Sequence, residues 1–358
     1  MSNTTKTTAG YLWAPEDCKT EKAYIHDRDY LQRNIDPNRC LKFSESPLDI
    51  YYEHRFKEDY ENADCETYAK ATISDDSVYD KDVEEYVYPV TIDHRYNRID
   101  FIDEIINFAD NDENIPKLRG YAFSNTPNTM CGSDVNLGSV SKANCDNSIA
   151  SNVCAASVSI TKGENSIANN TGYMGISKTF ETLSVAAATE NMSMAIADND
   201  YSVACVTGCN SEAIADDSNS VAVSTGYSGK AMANCCNSIA VASGSESTAY
   251  ANSSCNIAIS TGEDSEAIAN AVGSIAIANN YHSSAAANTA GSMAIAADVE
   301  TMIKGKIGSY LVFNLHTNND VLNDVKLLKV DGTNIKEDTY YTISAEGELT
   351  EVESSDEE

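Results

Sequence analysis

The side chains able to carry chemistry are scattered along this chain. Five histidines, at positions 26, 54, 94, 282 and 316, show no metal-ligand spacing. His26, His54 and His94 share the N-terminal segment with many carboxylates, the one place where an acid–base pair could be assembled. Eleven cysteines include the adjacent Cys235 and Cys236 and the close pair Cys205 and Cys209. Zinc needs four ligands converging from CxxC-like spacings. Cys145, Cys154, Cys209, Cys236 and Cys255 recur at no common interval, so they build no metal ladder. A phosphate loop, a GxSxG elbow and an HExxH pair are all missing. The expectation is therefore no catalytic residue, no metal site and no cofactor.

Charge narrows the partners. Fifty-five acidic and 24 basic residues give a formal charge of −31, spread along the whole of the 358 residues. Binding nucleic acid through its phosphates needs clustered Lys and Arg, and an anionic membrane surface would repel such a chain. Neither nucleic acid nor membrane is expected as a partner. Met1 to Gly10 is polar and Thr-rich, without the order of a signal peptide, and no run of 18 apolar residues is long enough to span a bilayer. Unexported cysteines suggest reduced thiols, so the expected location is the cytoplasm, or a virion or phage particle assembled there.

What must position every side chain between residues 139 and 300 is a repeat. Read from Ser139 in steps of nine, the chain gives 18 consecutive units without insertion or deletion. Position one is Ser in 15 of them, with Gly175, Gly229 and Asn256 the exceptions; position three is Ala in 15. Five alternating residues followed by four turn-like ones make a short strand and a turn. Stepping by 18 aligns Thr207, Thr225, Ser243 and Thr261 in one column, followed by Gly208, Gly226, Gly244 and Gly262, and aligns Asn234, Asn252, Asn270 and Asn288 in another. Two units therefore form one coil of a parallel β-solenoid. The hydroxyl and Asx columns form its ladders, and the glycines are expected to supply positive φ at the corner. All six prolines lie at or before Pro127, ahead of the repeat, as a continuous backbone ladder requires.

Parity assigns the faces. Positions one, three and five are Ser or Ala, and positions two and four are large. In one half-coil position two reads Glu212, Lys230, Thr248, Glu266 and Ser284, which cannot be buried unpaired. Its small residues therefore point inward. If the other half-coil follows suit, Val203, Val221, Ile239, Ile257 and Ile275, with Val223, Val241, Ile259 and Ile277, form an outward stripe larger than a soluble monomer normally exposes. The stripe is then an oligomer interface: a homotrimer first, a face-to-face dimer second, with packing of the N-terminal domain along it third. The alternative is an inverted half-coil whose β-branched residues fill the core. A lone Thr column beside glycine does not make the paired columns of an ice-binding face.

Two resemblances follow from these residues. SIAVASG from Ser238 and SIAIANN from Ser274 resemble the SVAIG-type repeats in the heads of trimeric autotransporter adhesins, which implies a left-handed parallel β-roll and threefold assembly. The present chain differs in its cysteines, its longer coil and its lack of an export signal or anchor. KGKIGSYLVF from Lys304 and DVKLLKVDGTNIKEDTYYTIS from Asp324 resemble the C-terminal cap of an uncharacterised bacterial and phage family with Ala- and Gly-rich repeats, and FSESPLDIYY from Phe43 resembles its N-terminal segment. The family's His and Cys there correspond to Lys42 and Ser44, so no chemistry carries over; the resemblance implies a phage or prophage origin.

The flanks differ in kind. Residues 11–125 hold most of the 20 tyrosines and the only Trp and read as an α+β domain. Ser46-Pro47 starts a helix, Tyr68 to Ile73 and Tyr86 to Ile92 are strands, and Ile99 to Phe108 is a helix. Residues 126–138 read as a linker, 139–304 as the solenoid, 305–352 as a β cap with Asp331-Gly332 turning between two strands, and 353–358 as an acidic tail. The chain is thus expected to be mainly β, a parallel β-solenoid of 18-residue coils with an N-terminal α+β domain and a small C-terminal β cap. The function expected is a non-enzymatic structural or attachment rod presenting its N-terminal domain, with a protein or surface glycan as partner. Two other classes stay open: an enzyme in the N-terminal domain that modifies a nucleotide or a protein, with the solenoid as scaffold, and an acidic mimic of nucleic acid.

Overall fold

The computed structural model describes residues 7–13, 23–25, 43–44, 47, 50, 68–74, 78–80, 85–96, 98–111, 113–114, 121–133, 138–298, 300–316, 322–344 and 346–352, in two compact units, 1–120 and 121–358. Among them no helix is long and apolar enough to cross a membrane.

The first unit is built on an antiparallel sheet of β1 (Thr7–Trp13), β2 (Ala23–Ile25), β3 (Phe43–Ser44), β4 (Tyr68–Ser74), β5 (Val78–Asp80) and β6 (Glu85–Tyr96), in the order β2-β6-β4-β1-β3 with β5 on β6. Helix α1 (Arg98–Asp110) follows. Its residues Phe101, Ile102, Ile105, Ile106, Phe108 and Ala109 recur at helical spacing and are all buried. Phe101 stacks on Tyr68 of β4, with ring centroids 4.1 Å apart, and meets Tyr11 of β1 and Tyr96 of β6 edge-on or tilted. Three tyrosines from three strands thus seat the helix on one face of the sheet.

The second unit is the solenoid. Two parallel sheets alternate along the chain: sheet 1 carries Val140–Ala143, Val158–Thr161 and every second strand to Met302–Gly305, and sheet 2 carries Ile149–Asn152, Ile167–Asn170 and every second strand to Tyr310–His316. Partners within a sheet are 18 residues apart, as in Val203↔Val221 and Glu212↔Lys230. The ladder begins earlier than the boundary at Ser139. Tyr121–Ser124 and Met130–Ser133, read as domain end and linker, pair in parallel with Val140–Ala143 and Ile149–Asn152. Those pairs are 19 apart, so a one-residue insertion hides this first coil from a fixed period.

Small residues face inward in both halves. Every residue at positions one, three and five, from Ser148 through Ala296, is buried when it is Ser or Ala, and Ala204, Ala222, Ala240, Ala258 and Ala276 of sheet 2 are fully so. The inverted arrangement is excluded. The position-one serine owes its constancy to a bond that the sequence does not announce. The N–H of Ser148 donates to the hydroxyl of Ser166, and the chain continues through Ser184, Ser202, Ser220 and Ser238 at N···O distances of 3.1–3.2 Å. Each hydroxyl in turn donates to a carbonyl of the preceding coil, as Ser220 does to Asn199 at 3.0 Å. Asn256 replaces serine with a longer arm, accepting from the N–H of Ser238 at 3.0 Å and donating to the Ala233 carbonyl at 2.8 Å. At Gly175 and Gly229 a Cβ would fall 2.2 and 2.0 Å from the side-chain oxygens of Asn170 and Ser224, so glycine makes way for a larger polar neighbour.

The corners correct another expectation. Gly172, Gly208, Gly226, Gly244 and Gly262 do not have positive φ. They are required because a Cβ there would sit 1.9–2.1 Å from a carbonyl oxygen of the preceding coil. The left-handed residue lies at position nine, one before the serine, and is usually not glycine: Asn147, Ala156, Met174, Leu183, Tyr201, Asn219, Glu246, Cys255 and Asp264 all have φ between 51° and 62°. Val, Ile and Thr never occupy it among the described residues, in line with the severe clash of a branched Cβ at positive φ.

The C-terminal end is closed by antiparallel strands, one set per sheet. Leu322–Lys329 adds to Tyr310–His316, while Tyr340–Ile343 joins Met302–Gly305 and Leu349–Val352. Leu322–Lys329 and Tyr340–Ile343 belong to different sheets, so Asp331-Gly332 is a crossing over the end of the rod rather than a hairpin turn. Val330, Ile335 and Tyr341 from this crossing plug the Ala core beside Ile303, Leu311 and Phe313. Asp331 organises the crossing: its carboxylate accepts from the N–H groups of Thr333, Asn334 and Ile335 at 2.8–3.1 Å and from the Asn334 amide. These bonds, the Thr333 N–H foremost, hold its carboxyl well below the usual carboxylate range. Tyr340 lies outside the plug, its hydroxyl 3.5 Å from Glu266 and its ring under the Lys304 ammonium at 4.3 Å.

Two outcomes follow. Ser220→Ala leaves the buried Ser202 N–H without an acceptor and should lower stability in urea unfolding by about 1–3 kcal/mol, whereas Thr225→Ala at the exposed corner should stay within about 0.5 kcal/mol. Because the folded pKa of Asp331 is depressed, its stabilisation is complete above about pH 4 and is lost as the pH falls towards the folded value. Melting temperatures between about pH 5 and 2 should therefore fall less steeply in Asp331→Asn than in the natural chain.

Candidate functional site

The outward face of sheet 2 is the most extensive chemical feature of the solenoid. Residues 18 apart, or 17 at the last step, sit directly opposite, so position two forms the column Ile149, Ile167, Val185, Val203, Val221, Ile239, Ile257, Ile275, Met293, Tyr310. Position four forms the parallel column Ser151, Asn169, Ala187, Cys205, Val223, Val241, Ile259, Ile277, Ile295, Val312. Val203, Val221, Val223, Ile239, Val241, Ile257, Ile259, Ile275 and Ile277 all point outward and are half-buried by one another. Beyond them the cap strand continues the face with Leu327 and Val325, at 59% and 50% exposure, and sets exposed Lys329 opposite Tyr310, just past the end of the position-two column.

Neither column contains a charged residue. Sheet 1 is the contrast: its outward positions hold Lys142, Lys178, Glu212, Lys230, Glu266 and Lys304, and Lys178 pairs with Asp198 at 3.1 Å. Its apolar outward residues Val140, Val158, Ile160, Ile176, Met194, Ile196 and Ile214 are at most 4% exposed. One sheet thus has its outward aliphatics buried or interspersed with charge, and the other presents a continuous neutral surface.

The corner columns stack as well. Asn234 donates its amide to Asp216, Asn252 to Asn234, Asn270 to Asn252 and Asn288 to Asn270, at 2.6–2.9 Å. Thr207, Thr225, Ser243 and Thr261 are joined instead through the backbone, each N–H reaching the position-five carbonyl of the coil before at 2.9–3.2 Å. Thr207 adds a hydroxyl bond to the Thr189 carbonyl.

A second site lies in the first unit and went unread in the sequence. Glu104, one turn after Phe101, receives the Tyr11 hydroxyl at 2.6 Å and the Lys70 ammonium at 3.0 Å on the same oxygen. Register brings the donors together, since Tyr11 and Lys70 are direct cross-strand partners. Burial first, then Glu104, raises the Tyr11 phenol far above its ordinary range and pushes Tyr96 up to about 12, so both remain neutral. Beside the cluster opens a cavity of about 320 Å³ lined by Ala9, Gly10, Tyr11, Lys70, Glu104, Asn107, Phe108, Asn111 and Asn114. Cross-strand pairing of Tyr11 with Lys70 could have pointed to it only if the register of two strands 60 residues apart had been known.

The residues first considered for chemistry do not converge. His26 and His54 lie outside the described residues. His94 is exposed, edge-on to Tyr96 at 4.5 Å, and His282 lies tilted against Tyr281 with Nδ1 3.6 Å from Asp264. Cys131, Cys145, Cys154, Cys205, Cys209, Cys235, Cys236 and Cys255 are free thiols. Among the described residues no group of three or more His, Cys, Asp or Glu is arranged to hold a metal ion. No family model matches the chain, and neither a curated protein nor a solved structure is significantly similar to it.

The parity of sheet 2 can be tested directly. Ala222→Val should overpack the interior and destabilise by about 1–3 kcal/mol, whereas Val223→Thr on the next position should cost less than about 1 kcal/mol. Chemical unfolding of both variants reads the difference.

Proposed function

We propose that this chain is a non-enzymatic structural or attachment protein, a β-solenoid rod that trimerises through the outward face of sheet 2 and presents its N-terminal unit. The observation that carries the reading is the charge-free face. In a chain of net charge −31, two columns ten coils long, aliphatic from Val221 and Val223 through Ile275 and Ile277, contain no charged residue, while the outward positions of the opposite sheet bear six. A solvated face gains nothing from that purity; an occluded one needs it, because burying an unpaired charge costs several kcal/mol. The stripe is about 50 Å long at the inter-strand spacing of about 4.8 Å. A rigid β face of this kind matches itself along its full length, which favours second and third copies of the same chain over an unrelated partner. Three are preferred to two because the repeats resemble those of trimeric adhesin heads. A phage or prophage origin accords with the resemblance of the cap and of the FSESPLDIYY segment.

Light scattering coupled to size exclusion should return three times the 38.6 kDa chain mass. Ile257→Glu combined with Ile275→Glu should return a single chain mass with an unchanged far-ultraviolet circular dichroism spectrum, since both side chains point outward. A natural chain that runs as a monomer at micromolar concentration would overturn the assembly, and a dimer would replace the threefold arrangement by a face-to-face one.

A further inference from the structure

The cavity beside Glu104 has a lining that selects among ligand classes. Its volume, about 320 Å³, lies at the small end of ligand pockets, which suits one ring rather than a nucleotide or an oligomer. Its charges cancel: the Lys70 ammonium is 3.0 Å from the Glu104 carboxylate. The cavity also lies at the C-terminal end of α1, where the helix dipole is negative and the last turn contains no basic residue. An anion would face Glu104 and that dipole; a cation would face Lys70. What remains is a neutral ligand rich in both donors and acceptors.

The amides complete the description. Asn107, Asn111 and Asn114 follow one another around the end of the helix, and each side chain offers a carbonyl and an NH₂. Two of them are held in place: the Asn114 amide donates to the Phe108 carbonyl at 3.0 Å, and the Asn111 carbonyl accepts the Glu113 N–H at 3.0 Å. The rings of Tyr11 and Phe108, edge-to-face at 6.0 Å, form an apolar wall. Aromatic edges, only 5% and 6% exposed at Tyr11 and Phe108, beside neutral amides match a small molecule with an apolar C–H patch and a rim of hydroxyls. We infer that this cavity binds a single neutral sugar residue, with Asn107 and Asn111 bonding its hydroxyls and Tyr11 and Phe108 packing against its ring. The inference deepens the attachment reading by naming the ligand class, a neutral glycan terminus.

Saturation-transfer difference NMR on the full chain tests it, with glucose, galactose, mannose and N-acetylglucosamine as probes and N-acetylneuraminic acid and choline as charged controls. At least one neutral sugar should show saturable binding that exceeds both controls. Asn107→Trp, which fills the cavity from its rim, should weaken that binding at least tenfold while the melting temperature is unchanged; Asn111→Trp serves if the first variant melts early. The inference is overturned if no neutral sugar binds, if a charged control binds more tightly, or if folded tryptophan variants bind as the natural chain does. Because the readout does not depend on the oligomer, a monomeric chain that binds sugar would remove the trimer alone, and a trimer that binds none would remove the sugar site alone.

Discussion

The spacing between coils governs everything else in the solenoid. Backbone ladders place successive coils about 4.8 Å apart, and two sheets of four-residue strands joined by five-residue turns enclose an interior too narrow for a large side chain. At such a distance a serine hydroxyl on one coil reaches both an N–H and a carbonyl of the coil before, as Ser220 does with Ser202 and Asn199. The serine is therefore the interior's polar clasp, and alanine its filler. A buried N–H left without that partner would cost about 1–3 kcal/mol, which favours serine at position one; Asn256 reaches an N–H and a carbonyl with a longer arm, and Gly175 and Gly229 stand where a Cβ would collide with Asn170 or Ser224.

Much of this was legible in the residues because a phase-locked repeat exposes periodicity, and period two within each unit exposes parity. The coil of 18 residues, the inward Ser and Ala of sheet 1 and the alignment of Asn234, Asn252, Asn270 and Asn288 follow from those two periods, whereas parity alone left two orientations for sheet 2, and only the burial of Ala204, Ala222 and Ala240 chooses between them. Other features stayed hidden for definite reasons. The insertion before Val140 broke the count, so the coil beginning at Tyr121 was read as a domain end and linker. The glycine column suggested positive φ because that is glycine's commonest use, whereas here it answers a close approach of neighbouring coils. Asp331-Gly332 looked like a hairpin because local sequence does not reveal that the flanking strands join different sheets. The cluster at Glu104 depends on long-range register between β1 and β4, which no local pattern carries.

The two units differ in how they achieve a core. The N-terminal sheet and helix use a few large rings, Phe101 stacked on Tyr68 and touched by Tyr11 and Tyr96, so each side chain there carries a substantial share of the packing. The solenoid instead distributes its stability over many methyl groups and backbone bonds, none individually large. Its cap reverts to the first strategy: Phe313, Tyr341, Leu311 and Ile335 terminate a column of alanines with bulk that no interior coil could accept.

Position nine of the repeat has an implication of its own. The left-handed backbone there is imposed by the stacked coils; apart from Ala156, Met174 and Met192, which are buried, the position accepts exposed or half-buried side chains of many kinds and excludes branching at Cβ. Asn, Ala, Met, Leu, Tyr, Glu, Cys, Asp and His all occupy it in a single chain. Each corner is thus a line of interchangeable letters on an invariant spine, and a lineage could rewrite the margin's charge or hydrophobicity coil by coil while the frame beneath it stayed the same.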